Sequence, residues 1–294
     1  MPLTRPATHL PVELWEEIIA LAAHDPSPFS PIDQYTHIHS RRARKLLRLG
    51  QADFHSRLSK LSGVCKPWRD LTERLKDQFL EVETNDELRR LGIAQRGHRS
   101  IRRRRLDVYS SAWSTKASYD SVLYDFRAVL SNTHKLEMLS LVRMGLRYPM
   151  MPDKFLLETS DLLYNLKALE YTVAPGTGVD GLNMSVLAMG YRSLEYLNCD
   201  IMILSDAFSN VPAPAFPHLR TLRTFVHFPA GPPDGFEEWL ANWEMPVLTN
   251  LSLTHSLGHD DWKWLCALLR KNGRTLECVQ FSVNPNHQLS DMQD

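Results

Sequence analysis

Six segments of the chain restart one pattern at a nearly constant interval, and that periodicity restricts the fold more than any single residue. Leu136, Leu166, Leu194, Leu219, Leu248 and Leu276 open the stretches LEMLSL, LKALEY, LEYLNC, LRTLRT, LTNLSL and LECVQF, at spacings of 30, 28, 25, 29 and 28 residues. Such spacings fall in the range of leucine-rich repeats, in which one strand and one helix per repeat stack on their neighbours. A single unit cannot bury its own apolar face, so the array must share a continuous core. The expected fold class is therefore α/β: a solenoid with a parallel sheet, presenting an extended surface to another molecule. Two weaker registers, Leu106 with Val108 and Leu80 with Val82, match the second half of the pattern and extend the array toward the N-terminus.

The intervals support the same reading. Residues 120–133 place Val122, Phe126, Val129 and Leu130 on one helical face, and residues 259–272 place Trp262, Leu265 and Leu269 at helical spacing, with Asp260 as a cap. Thr84-Asn85-Asp86-Glu87 has the form of a capping box before Leu88, Leu91 and Ile93. Prolines at 212, 214, 217, 229, 232 and 233 predict irregular connections around the fourth repeat. Strand alternation points Leu139 and Leu141, Leu197 and Cys199, and Leu251 and Leu253 into the core. The outward set, on the expected concave face, is Ser140, Val142, Glu170, Thr172, Asn198, Asp200, Arg223, Phe225, Ser252 and Thr254. It mixes acids, a cation and an aromatic, a combination suited to binding a target protein.

Net charge is zero but unevenly spread: residues 1–119 hold 21 Lys and Arg against 14 Asp and Glu, and the remainder hold 13 against 20. The basic excess concentrates in 41-RRARKLLR-48 and 102-RRRR-105. Short basic runs are more often solvated faces than nucleic-acid sites, so no nucleic-acid partner is expected. The opening residues lack the apolar centre of a signal peptide and no long apolar run follows, which predicts a cytoplasmic or nuclear protein without a membrane partner. Four cysteines without C-x-x-C spacing read as reduced, buried thiols.

The N-terminal segment 10-LPVELWEEIIAL-21 reads as a short amphipathic helix, with Pro11 suited to its first position, glutamates in its opening turns, and Leu14, Ile18 and Leu21 along one face. With Trp15 on a neighbouring face, it carries more apolar surface than so small a module can bury, which predicts a docked partner. Further on, 58-LSKLSGVCKPWRDL-71 places Leu58, Leu61, Val64 and Cys65 on a second helix, and Trp68 and Leu71 on a third that opens near Pro67.

These segments, L-P-x-E-L with Ile18 following and then L-x-x-V-C-K-x-W, resemble the F-box over residues 8–75. Followed by repeats over 79–294, the chain resembles the leucine-rich-repeat F-box proteins common in fungi. That resemblance implies a non-catalytic substrate receptor of a cullin-RING, SCF-type ubiquitin ligase: the F-box binds a Skp-type adaptor and the repeats hold a target. Carried over residue by residue, the adaptor surface comprises Leu10, Pro11, Leu14, Ile18, Val64 and Trp68. The chain departs from the family in an insertion of about 34 residues, roughly 23–56, where residues 41–49 either form an extra helix or move freely. The alternative is a plain scaffold, in which these helices cap the repeats and ubiquitin plays no part.

A search for catalysis yields little. Nucleophile-elbow, phosphate-loop and zinc-helix motifs are missing from the sequence. The segment 176-GTGVDG-181 has dinucleotide-loop spacing, but the strand before it alternates polar and apolar residues, unlike the doubly buried strand of a dinucleotide fold. His37 and His39 have no supporting ligands nearby, and sequons begin at Asn183 and Asn250. The expectation is a protein without enzyme activity, cofactor or metal.

Overall fold

Eight strands lie in one parallel sheet whose spatial order is their order in the chain. They are β1 (Phe79–Val82), β2 (Arg105–Tyr109), β3 (Met138–Met144), β4 (Ala168–Val173), β5 (Tyr196–Met202), β6 (Thr221–His227), β7 (Asn250–Ser256) and β8 (Cys278–Asn284). The structure, a computed structural model, describes residues 12–23, 41–76, 78–95, 104–109, 119–131, 133, 136–144, 158–173, 191–202, 213–227, 235–256 and 263–284. The α/β class and the parallel sheet are as the repeats predict, and both weaker registers form strands.

One rung of the ladder joins Leu80, Leu106, Leu139, Leu169, Leu197, Leu222, Leu251 and Val279. Two residues on, Val82, Val108, Leu141, Tyr171, Cys199, Thr224, Leu253 and Phe281 form a second rung on the same face. From Leu106 to Leu253 the apolar members of both rungs are buried in a single cluster. Burial of each leucine side chain contributes roughly 1.5–3 kcal/mol. Every strand from β2 onward enters the sheet in the same way. Its first residue and the one before both donate their N–H to one carbonyl of the preceding segment, in turn Gln78, Arg104, Glu137, Lys167, Glu195, Arg220 and Thr249.

Helices cover the leucine face. In α4 (Asn85–Gln95) the expected capping box forms as a variant: Glu87 N–H donates to Thr84 Oγ1 at 3.2 Å, while the Glu87 carboxylate accepts from Glu83 N–H, not from Thr84. Leu88 is buried and Leu91 half-buried, but Ile93 is exposed, because the helix turns it away from the sheet. Its neighbour α5 (Tyr119–Ser131) buries the expected Val122, Phe126, Val129 and Leu130. Gly92 lets these helices approach closely: a Cβ there would stand 3.1 Å from the Asp125 carbonyl oxygen. A short helix, α6 (Phe236–Ala241), lies in the interval in which prolines predict irregular connections in place of a full helix. The last helix, α7 (Lys263–Asn272), buries Leu265 and Leu268 and leaves Leu269 half-buried. Trp262 and Asp260 lie outside the described residues.

An aromatic cluster that the repeat pattern does not announce fills the core beneath α6. Phe236, Trp239, Leu240 and Trp243 recur at helical spacing and all are buried. The Trp239 and Trp243 rings meet edge-on at 5.0 Å, and Phe216 lies 6.4 Å from Trp243.

The N-terminal helices α1 (Val12–Ala23), α2 (Arg41–Ser62) and α3 (Lys66–Lys76) have a separate core of Ile19, Phe54, Leu58, Leu71 and Leu75, flanked by Trp15, Leu61 and Trp68. Residues 41–49 are the first turns of α2 itself, so the insertion is in part an N-terminal extension of the second helix. Val64 and Cys65, expected on that helix, stand in the turn after it, where the Val64 N–H closes onto the Leu61 carbonyl.

Trp243 separates ring packing from polar satisfaction, since among the described residues its buried Nε1 has no hydrogen-bond partner. Trp243→Ala is expected to lower unfolding free energy by about 3–5 kcal/mol. Trp243→Phe keeps an aromatic ring and removes the unsatisfied donor, so its cost should be under about 2 kcal/mol. Urea denaturation of both variants measures the difference.

Candidate functional site

Two surfaces stand out, and α1 carries the first. Its inward residues Trp15 and Ile19 belong to the module's core, with the Trp15 ring 5.5 Å from that of Trp68. Leu14, Ile18 and Leu21 follow one another at spacings of four and three along a different face, and they are 43%, 41% and 68% exposed. Val12 is exposed at the start of the same helix, as is Val64 in the turn between α2 and α3. The apolar excess read from the sequence is therefore real surface. Of the residues assigned to the adaptor, Leu14, Ile18 and Val64 are open to contact, whereas Trp68 is half-buried and supports α1 from behind. Leu10 and Pro11 lie outside the described residues.

The second surface is the sheet face opposite the leucines. A single rung runs Asp107, Ser140, Glu170, Asn198, Arg223, Ser252 and Gln280 across β2 to β8. Its two halves differ. Ser140 and Glu170, expected in the exposed set, are buried to within 1% of full burial, as are Arg105 and Asp107. Met138, Ala168 and Tyr196 form a small buried cluster on this same face. Asn198, Arg223, Ser252 and Thr254 are half-buried, and Gln280 and Ser282 are exposed. Thr254 Oγ1 and Ser282 Oγ lie 2.7 Å apart and share a hydrogen bond. Val142, Thr172, Asp200 and Phe225 lie on strands, in register with these neighbours, but their side chains are outside the described set.

Arg105 and Asp107 form a buried ion pair that the repeat pattern does not announce. Arg105 Nε donates to Asp107 Oδ1 at 2.8 Å, and the guanidinium lies 5.5 Å from the Phe79 ring centre. Arg104 donates to Glu137 at 2.7 Å. Two members of the 102–105 basic run are thus engaged in ion pairs, Arg105 in a buried one and Arg104 in one that remains partly exposed. Strand alternation was the available signal, because Asp107 stands between Leu106 and Val108 and must face away from the core.

Burial dominates the electrostatics of this cluster. It would lower the Arg105 pKa, but Asp107 and Glu170 outweigh it and hold the guanidinium charged. Burial also raises the Asp107 carboxyl, against the pull of Arg105. Glu170 is pushed up to about 7, first by burial and further by Asp107, while Arg105, the Ser140 hydroxyl and Arg223 oppose the shift.

Set against known proteins, the chain matches no family model, no curated protein and no solved structure. Among the described residues no three metal-ligating side chains gather, and no helix is long and apolar enough to cross a membrane. The 176–181 glycine segment, His37, His39 and Asn183 lie outside the described residues, while Asn250 opens β7 with its amide on Thr249 Oγ1. Only Cys199 is buried as expected; Cys65, Cys266 and Cys278 are exposed, because a turn, an outer helix face and the outermost strand hold them.

Glu170 makes stability depend on pH. Its folded pKa lies above the ordinary 4.5, so the folded chain holds more protons in the interval between the two values. Its contribution is full below pH 4.5 and is lost as pH rises through about 7. The loss amounts to roughly 3 kcal/mol. Glu170→Gln should remove most of that slope and be more stable than the parent chain at alkaline pH, as urea titrations at several pH values would show.

Proposed function

We propose that this chain is a non-catalytic substrate receptor of a cullin-RING ubiquitin ligase, of the leucine-rich-repeat F-box type. In this reading α1–α3 dock a Skp-type adaptor and the repeat strands present a target. The observation that carries it is the stripe of Leu14, Ile18 and Leu21, held outward on a helix whose other side is fixed in its own core. A capping role would turn those residues onto the sheet. Instead they face solvent, which favours an adaptor over the plain scaffold. Further support comes from the order of the strands, one per repeat in sequence, each pairing with the next. Such a receptor brings a target's lysines near a charged enzyme and raises their effective concentration without supplying chemical groups.

In this reading the target contacts lie on the C-terminal half of the outward face, where Asn198, Arg223, Ser252 and Thr254 keep some exposure. Ser140 and Glu170 take a structural part.

Leu14→Asp with Ile18→Asp should leave circular dichroism and melting unchanged, since both side chains are exposed, yet weaken adaptor binding by at least 2 kcal/mol, about thirtyfold. Titration of purified Skp-type adaptor measures this, and unchanged affinity would overturn the assignment. Arg223→Glu with Ser252→Arg should keep the adaptor and lose a group of proteins captured by proximity labelling. An unaltered set would remove this face from target recognition.

A further inference from the structure

The two edges of the sheet are unlike. β1 is four residues long and carries Glu81, and short or charged edges resist pairing with other chains. β8 has seven residues, CVQFSVN, without a charge or a proline. Among the described residues only β7 pairs with it. Both of its faces meet solvent: Val279 and Phe281 are 42% and 40% exposed, where their rung partners Leu251 and Leu253 are buried, and Gln280 and Ser282 are exposed on the other side.

The backbone orientation of β8 is fixed by its entry. Cys278 donates its N–H to the Thr249 carbonyl, so even-numbered residues bond toward β7. Val279 and Val283 then direct their backbone groups to the outer edge. Phe281 is the middle residue of the strand, three from either end. An antiparallel copy of β8, related by a two-fold axis through Phe281, would set the backbone of Val279 opposite that of Val283 and Phe281 opposite its own copy, with Val279 and Phe281 on the leucine side. Gln280 would face Ser282 on the other side. A charged strand laid against itself opposes like charges across such an axis, and this strand has none to oppose.

We propose that the chain self-associates through β8, joining two eight-stranded sheets edge to edge around Phe281. The occupant is a second copy because the edge is uncharged and self-complementary, and the inference is independent of any role in ubiquitin transfer. A single pair of seven-residue strands is smaller than a standard interface, so the association belongs to the weak class.

The test is sedimentation velocity on the full chain from about 1 to about 200 μM. The expected result is a shift from 33.8 kDa toward twice that mass. Phe281→Lys, at an exposed position, should retain the parent's melting temperature and weaken dimerisation at least tenfold. In a background with Cys65, Cys266 and Cys278 replaced by Ser, Phe281→Cys should form a symmetric disulfide under mild oxidation. A monomer throughout the range would overturn the proposal. So would a dimer that survives Phe281→Lys but is lost in the Leu14→Asp, Ile18→Asp variant, because the α1 stripe would then be the contact.

Discussion

From β2 onward each strand of this sheet starts where a carbonyl of the preceding segment accepts two successive N–H groups, and the register depends on that contact. A carbonyl oxygen has two lone pairs and can take both donors. Once the entry is fixed, strand alternation decides everything downstream. The leucine at the next position turns inward, its neighbour turns outward, and the pattern returns two residues later. A slip of one residue would exchange the two sets and place Glu170 or Arg223 among the leucines, at the cost of burying unpaired charge. The leucines thus enforce a register that the backbone bonds propose.

With one face committed to the core, the surfaces left accessible are the opposite face of the sheet and the outer side of α1. The outward rung is not uniform. Near β2 to β4 it holds a buried ionic group, where Arg105, Asp107 and Glu170 share a space too dry for three independent charges. Buried charge of this kind adds little to stability unless fully paired, and its usual benefit is a unique arrangement. From β5 onward the same rung carries one charge, Arg223, among hydroxyl and amide side chains, and it is more accessible. Rigid geometry at one end beside adaptable hydrogen bonding at the other suits a surface that must hold its shape while a partner is recognised.

The repeat pattern made most of the sheet legible in advance. Leu139 and Leu141, Leu197 and Cys199, and Leu251 and Leu253 are buried as alternation requires. Even the degenerate registers at Leu80 and Leu106 could be aligned, since register needs only two apolar residues at the right offset. Burial of Ser140 and Glu170 was not legible, because it depends on what lies over the strand and alternation records only the direction a side chain takes. The aromatic cluster under α6 was written plainly at helical spacing, but the surrounding prolines drew the reading toward loops. For α1 the excess of apolar residues was visible, while the division into inward Trp15 and Ile19 and outward Leu14, Ile18 and Leu21 needed the positions of α2 and α3. Val64 moved from helix to turn because the second helix stops at Ser62 ahead of Gly63.

Sequential strand order has a dynamic consequence. Among the described residues each strand from β2 to β7 pairs on both sides, whereas β8 pairs with β7 alone. In a structure whose units touch only their neighbours, opening free energies grade from the ends inward, so amide protons should not exchange as one block. Those of β8 that bond to Thr249 and β7 should exchange first, and protection should climb strand by strand toward the centre of the array. The molecule behaves less as a single cooperative unit than as a zipper that frays from its last tooth.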